Sequence, residues 1–312
     1  MATEYDIVII GGGPAGLAAG LYAARARRST LIIEKNVTGG QIALTAEIEN
    51  YPGIESINGF DLGQIMQKQA ETHGAEMLYT NVTSIEPAKG KAAAGKHVIH
   101  TDEGDYEAKT LIITAGADYN KLEIPGEERL TGYGVSYCAT CDAAFFKDQE
   151  VAVVGGGDAA MDEGLFVTRY ASKVDVIHRR DELRASAVLQ ERAFANKKMN
   201  FVWDTVVESI EGEKEVEFLR TRNLKTGQIK DVPVSAVFIF IGQTPNSEFL
   251  KGVVDMDKGG HIIVNEWMET NVPGVYAAGD VRNNSARQVV SSAGDGATAA
   301  IRADHYISSH FK

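Results

Sequence analysis

One pattern occurs twice in this chain: an apolar strand, a glycine turn and a helix of small residues. The first copy reads Asp6-Ile7-Val8-Ile9-Ile10-Gly11-Gly12-Gly13-Pro14-Ala15-Gly16, and the second reads Val151-Ala152-Val153-Val154-Gly155-Gly156-Gly157-Asp158-Ala159-Ala160. A short apolar run closed by glycine is the signature of a buried strand, and the Ala- and Leu-rich stretch after it is that of a helix. A second strand follows in each copy, Leu31-Ile32-Ile33-Glu34 and Val174-Asp175-Val176-Ile177-His178. The registers agree: Glu34 lies 18 residues past Gly16, and His178 lies 18 past Ala160. Each copy also has a later apolar strand that ends in glycine, Leu111 to Gly116 and Val237 to Gly242. A single Gly-x-Gly-x-x-Gly is no more than a tight turn. Two copies, each after a strand and each with a discriminating residue at the expected distance, specify two βαβ dinucleotide-binding units. The expected fold class is α/β with two Rossmann-like domains.

Charge distinguishes the two units. Gly11, Gly13, Pro14, Ala15 and Gly16 open the first helix, and Gly155, Gly157, Asp158 and Ala159 open the second. A pyrophosphate sits on such a helix start, where N–H groups and the helix dipole favour an anion. At the end of the second strand the first copy offers Glu34. Its carboxylate accepts from ribose hydroxyls and repels a 2′-phosphate, which fits FAD or NAD. The second copy offers His178, Arg179, Arg180 and then Arg184. Guanidinium groups grip phosphate bidentately, which fits NADPH. The competing reading is a solvated helix start; the register shared with Glu34 favours phosphate.

The repeat sets the expected boundaries. Residues 1–116 form the first part of an FAD-binding domain, 117–244 an NADPH-binding domain, and 245–312 the second part of the FAD domain. The tail carries a strand ending Ala278-Gly279-Asp280 and then an Ala-rich helix from about Gln288 to about Ser308. If these return to the first unit, the second unit is an insertion joined by two crossings, near Ala117–Asn120 and Gln243–Ser247.

Composition narrows the function. The 312 residues suit two domains rather than one. The net charge is −12 and no basic stripe is visible, so nucleic-acid binding is not expected. No apolar run is long enough to span a membrane. Met1 to Glu4 leads directly into the first strand without the pattern of a signal peptide, so a cytoplasmic location is expected. The chain holds only two cysteines, Cys138 and Cys141, both in one Cys-x-x-Cys.

Three readings compete for that pair. A zinc half-site needs two further ligands at suitable spacing, and the histidines are scattered, so no metal is expected. A structural disulfide does not suit a cytoplasmic chain. A catalytic dithiol is favoured, because a short Cys-x-x-Cys loop opens and closes readily and lowers one thiol's pKa. Asp142 follows the second cysteine. It has two compatible roles, helix N-cap and proton donor to the departing thiolate.

On these residues the chain resembles the bacterial-type, low-molecular-weight NADPH-dependent thioredoxin reductases over essentially its whole length. Further motifs that carry the resemblance are Gly39-Gly40-Gln41, Glu49-Asn50-Tyr51-Pro52-Gly53, Cys138-Ala139-Thr140-Cys141-Asp142 and Arg287-Gln288. The resemblance implies FAD contacts at Lys35, Gly39, Gly40, Gln41, Asn50, Val82, Gly279, Asp280, Arg287, Gln288 and Val289, beside Glu34 and the first glycine turn. It implies that the last helix points its N-terminus at the flavin, that Cys141 is the cysteine nearer the flavin, and that Cys138 attacks the protein disulfide. Phe145 and Phe146 stand where the family presents aromatics to thioredoxin; core packing is the equal alternative. Three positions depart from the pattern: Ala143 for a glycine, Tyr133 for a basic residue and Ala297 for a cysteine. Electrons are expected to run from NADPH through FAD to the cysteine pair and on to thioredoxin, with the inserted domain rotating about its crossings between partners. The chain ends at Lys312, before the C-terminal interface domain of larger relatives, which leaves Asp142 as the acid–base group. A homodimer is what the family implies. The rival readings are the same chemistry on another protein or a small disulfide, and a flavin-containing redox sensor.

Overall fold

The computed structural model describes residues 2–45, 47–88 and 95–311. The chain divides into two compact units. One comprises Met1–Asp118 and Thr244–Lys312, and the other comprises Tyr119–Gln243. The second unit is therefore carried inside the first along the sequence. The crossings fall within a two-stranded ribbon of Ala117–Tyr119 with Gln243–Pro245.

The first unit is built on a parallel sheet in the order Ala75–Tyr79, Thr30–Glu34, Thr3–Ile10, Gly104–Ile113, Val275–Ala277. Gly104–Ile113 is long enough to serve two partners. Its first half pairs antiparallel with His97–Thr101, and its last residues take Val275–Ala277 in parallel. Parallel strands are covered on both faces, so they read as unbroken apolar runs. Ile7 to Ile10 and Leu111 to Ile113 are all buried. Alternate residues serve opposite cores. Ile7, Ile9, Ile32 and Ile112 face the helices Pro14–Arg25, Gly59–Thr72 and Val289–His310, while Val8, Ile10, Leu31 and Ile113 pack with Leu250, Val254 and Ile262.

The second unit repeats the plan. Its parallel order is Met199–Val202, Lys173–Ile177, Glu150–Val154, Ala236–Ile239, Val135–Ser136. The two sheets differ in where the fifth strand comes from. In the first unit it follows the others in sequence, and in the second it precedes them. One face of this sheet is packed by helices Asp158–Val167 and Ala187–Ala195. The other receives the antiparallel sheet Thr205–Glu211, Phe218–Asn223, Ile229–Pro233 through Val207, Ile210, Leu219 and Val232.

The returning helix Val289–His310 lies against Pro14–Arg25, and two of its glycines differ in what surrounds them. A Cβ on Gly296 would sit 1.9 Å from the Ala15 carbonyl oxygen, whereas one on Gly294 meets nothing within 4 Å. Gly296→Ala should therefore destabilise the first unit by about 1–3 kcal/mol, through overpacking against main chain. Gly294→Ala should stabilise it by up to about 1 kcal/mol, because alanine loses less backbone entropy in a helix. Urea unfolding of the two variants, two residues apart on one helix, checks the opposite signs.

Candidate active site

The first glycine turn is shaped by main chain. Gly11 has φ +113°, and a Cβ there would lie 2.3 Å from the Thr114 carbonyl oxygen. Thr114 closes the turn by donating from Oγ1 to the Gly11 carbonyl at 2.8 Å. The chain then enters the helix at Pro14, with Gly13 as N-cap and no side-chain cap bond. The helix start is thus left for an anion. A Cβ on Gly13 would have only the Gly39 carbonyl oxygen near it, at 4.0 Å, so the first turn and the Gly39–Gly40 turn border a cradle. Glu34 is buried at the end of its strand. One carboxylate oxygen accepts from Gly12 N–H at 2.6 Å, and the other from Asn36 N–H at 2.8 Å. This fits a ribose-binding acid held in a fixed orientation beside a pyrophosphate cradle.

Other expected dinucleotide residues gather in the same unit. Asn50 Nδ2 donates to Gln288 Oε1 at 3.3 Å, and Gln41 Nε2 donates to Asp118 Oδ1 at 2.7 Å. Gln288 is the N-cap of the last helix, and Val289 is its first residue. The helix runs Val289–His310, slightly longer than expected at its C-terminus. Asp280 accepts from Ser285 Oγ at 2.8 Å and Ser292 Oγ at 3.4 Å; burial raises its pKa above the ordinary carboxylate value. Arg287 and Lys35 are exposed, and Gly279 is buried. Val82 opens the strand Val82–Glu86 and packs against the core that holds Val8 and Ile10. Asp118, Ser285 and Ser292 carry no sequence signal of their own; each is found only through its partner.

The second turn copies the first. Gly155 has φ +150°, and a Cβ there would lie 2.4 Å from the Phe240 carbonyl oxygen. Gly157 is the N-cap of Asp158–Val167, again with no side-chain cap bond. The shared register appears as a shared contact. A Cβ on Gly12 would meet Glu34 Oε2 at 3.0 Å, and one on Gly156 would meet the His178 ring at 2.2 Å. His178 requires a correction. Grouped in the sequence with the cations, it is buried, and burial first, then the charges of Arg184, Arg180 and Arg179, holds its pKa below the usual imidazole value. Its ring packs under the glycine turn. The cations are Arg179, Arg180 and Arg184, all exposed. They are brought to the turn by Arg184 N–H donating to the Gly156 carbonyl at 2.7 Å, and by Ser186 N–H donating to Asp158 Oδ1 at 2.6 Å. Ala159 is exposed in the first turn of the helix.

The cysteines follow directly on the strand Val135–Ser136. They form a disulfide with Cα atoms 5.3 Å apart. The pair sits on a single helical turn, Ala139–Asp142, rather than in an open loop, with Cys138 as the N-cap. Asp142 stands at the N-cap position of the 3-10 segment Ala143–Phe146, as expected, but not with the capping bond. Asp142 is the last residue of the turn and makes no cap bond to the 3-10 segment that follows; its carboxylate Oδ2 instead accepts from Ser136 Oγ at 2.5 Å. Burial raises the Asp142 pKa above the ordinary carboxylate value, and the Ser136 hydroxyl opposes this. A half-buried acid with a raised pKa, one residue from a sulfur, is suited to protonating a leaving thiolate. The aromatics after it divide. Phe145 is exposed, whereas Phe146 packs edge-on to Phe238 in the core. Ala143 is buried and Tyr133 is 62% exposed. No group of His, Cys, Asp and Glu suited to a metal occurs among the described residues. No helix among them is long and apolar enough to cross a membrane.

These features agree with comparison to known proteins. Residues 5–296 match the family described as pyridine nucleotide-disulphide oxidoreductase. The thioredoxin reductase of Peptoclostridium litorale is 46% identical, the match covering 100% of this chain and 99% of that protein. Thioredoxin reductase from Streptococcus pyogenes MGAS5005 matches in structure with a TM-score of 0.94 at 45% identity, over 99% of this chain and 100% of that one. The Lactococcus lactis thioredoxin reductase, in what is termed its FR conformation, is 44% identical over 98% of this chain and 99% of its own, with a TM-score of 0.65. Two dinucleotide-binding units, a Cys-x-x-Cys disulfide beside a half-buried acid and full-length likeness to these enzymes converge: the chain belongs to the pyridine nucleotide-disulphide oxidoreductase family, among the thioredoxin reductases.

Proposed function

We propose that this chain is a thioredoxin-disulfide reductase that uses NADPH and FAD and passes an electron pair through Cys138–Cys141 to oxidised thioredoxin. The observation that carries this reading is a Cys-x-x-Cys disulfide followed by a half-buried acid whose pKa is held above the ordinary carboxylate value, at the strand ends of a dinucleotide unit. The residues fit both cofactors. Glu34 and the Gly11–Gly16 turn suit the ribose and pyrophosphate of FAD, with Gly39, Gly40, Gln41, Asn50, Asp280, Arg287 and Gln288 around it. Gly155, Gly157 and the arginines Arg179, Arg180 and Arg184 suit NADPH, whose 2′-phosphate separates it from NADH. When bound, the flavin and nicotinamide supply the hydride chemistry that delivers an electron pair to the disulfide.

The chain's own groups do the rest. Reduction of the disulfide to two thiols takes two electrons and two protons, and Asp142 delivers a proton to the sulfur that leaves. Cys138, at the N-cap of the redox turn, is the attacking thiolate toward the thioredoxin disulfide, because helix N-termini stabilise a thiolate. Cys141 then closes the intramolecular disulfide and releases reduced thioredoxin. Exposed Phe145 and Tyr133 form part of the docking surface for that protein. The enzyme is read as a cytoplasmic homodimer.

Rotation of the inserted unit about the ribbon at Ala117–Tyr119 and Gln243–Pro245 is part of the proposal, since the redox pair must serve both the flavin and a bulky acceptor. Two relatives of nearly equal identity that match this chain at TM-scores of 0.94 and 0.65 support it. With one spin label in each unit, pulsed EPR should give different distance distributions for the oxidised and NADPH-reduced protein; one unchanged distribution refutes the rotation.

Turnover with NADPH should require added thioredoxin and vanish in Cys141→Ser, while the flavin of that variant still bleaches with NADPH. Bleaching without thioredoxin-linked turnover in the unsubstituted protein would redirect the assignment to another acceptor. Replacing Arg179 and Arg180 together by alanine should raise KM for NADPH by about 10- to 100-fold, the worth of one or two charge-assisted hydrogen bonds, and leave KM for NADH within about twofold. Steady-state kinetics with both nucleotides checks this.

A further inference from the structure

The strand that leads to the cysteines ends in Ser136, a buried hydroxyl with three neighbours. Its Oγ accepts from Cys138 N–H at 3.1 Å, lies 3.2 Å from the Cys138 carbonyl oxygen, and donates to Asp142 Oδ2 at 2.5 Å. A hydroxyl has one proton to give. It cannot serve the Cys138 carbonyl and the Asp142 carboxylate together. While Asp142 is ionised, the shorter, charge-assisted bond takes the proton. Once Asp142 is protonated, its own O–H donates to Ser136 Oγ, and the serine proton turns to the Cys138 carbonyl. That carbonyl also accepts from Asp142 N–H at 3.2 Å, so the exchange falls on the turn that holds the disulfide.

Resting on the reading of Asp142 as the acid, we propose that Ser136 is a positioning residue for its proton: one hydroxyl, shared between the Asp142 carboxylate and the Cys138 main chain, sets how readily Asp142 gives up its proton and ties that state to the turn bearing Cys138. The surroundings leave this role to the serine. The redox turn packs against Ala143–Phe146, which has no titratable group and is followed by Lys147 and Asp148. It also packs against the helix Asp158–Val167, which brings the acids Asp158, Asp162 and Glu163. Burial raises the Asp142 pKa, and the Ser136 bond is the influence that opposes it. Cys138 and Cys141 on its own turn are disulfide-bonded and carry no charge in the oxidised protein. Nothing in the Cys-x-x-Cys motif points to a residue two places upstream.

The test uses the oxidised holoenzyme. The carboxylic-acid C=O band is followed by infrared difference spectroscopy through a pH titration, beside the pH profile of thioredoxin-linked turnover. Asp142→Asn identifies the band and the limb of the profile that belong to Asp142. Loss of a donor to a carboxylate favours its protonated form. Ser136→Ala should therefore move both midpoints up by about one pH unit, and Ser136→Thr, which keeps the hydroxyl, should restore them. A purely structural loss would lower the rate without moving either midpoint. If Ser136→Ala leaves both in place while Asp142→Asn still erases them, the proposal fails and the acid reading stands. If Asp142→Asn erases neither, both fail. Should Ser136→Ala lose its fold, Ser136→Gly is titrated with the same expected direction.

Discussion

Both units depend on one close approach of main chain to main chain. At the end of the first strand the chain turns beside the carbonyl of the strand that neighbours it in the sheet, Thr114 in one unit and Phe240 in the other. Only a residue without Cβ can stand there, and the turn so formed aims a helix start at the crevice beyond the strand ends. Parallel order, helices on the sheet faces and the place of a dinucleotide all follow from it. The middle glycine makes the second demand, since the residue 18 positions past the turn lies against it. In the first unit that residue is an acid held by two backbone amides, and in the second an imidazole whose burial lowers its pKa.

This explains why so much of the fold could be read from the residues alone. A turn that tolerates only glycine, strands buried on both faces and an insertion that splits one sheet each leave a mark at fixed spacing. Glu34 and His178 could be paired by counting, because a βαβ unit has a set length. The arginines are expected at a phosphate because their register matches that of an acid.

What could not be read lies in contacts with no fixed spacing. Asp118 meets Gln41 across 77 positions, and Asn50 meets Gln288 across 238, through folding of the chain and not through any local motif. The burial of His178 is a matter of tertiary packing, which the neighbouring Arg179 and Arg180 conceal in the sequence. Asp142 was readable as a cap because aspartate commonly caps helices. Here Asp142 ends the one-turn helix Ala139–Asp142, and its carboxylate points back to Ser136 instead of capping the segment that follows. Phe145 and Phe146 are alike in sequence and opposite in environment, because one turn of 3-10 helix sends adjacent side chains to different sides.

The fifth strand of each sheet gives the molecule a further property. In the first unit that strand, Val275–Ala277, is followed after Ala278 by Gly279 and Asp280, which the proposed reading sets around FAD. In the second, Val135–Ser136 is followed by the cysteines. The redox pair thus stands at the corresponding strand end, but on a strand of two residues, Val135 and Ser136, whose partners in the sheet are Val237 and Phe238. An edge strand this short belongs to the least stable part of a domain, where local opening costs little of the global unfolding free energy. Burial offsets the short ladder: Val135 lies in one core of the unit, and Ala139 and Ala143 lie in the other. The cysteines between them stay partly exposed, so the redox pair stands at the rim of the unit on a segment held by packing more than by strand pairing.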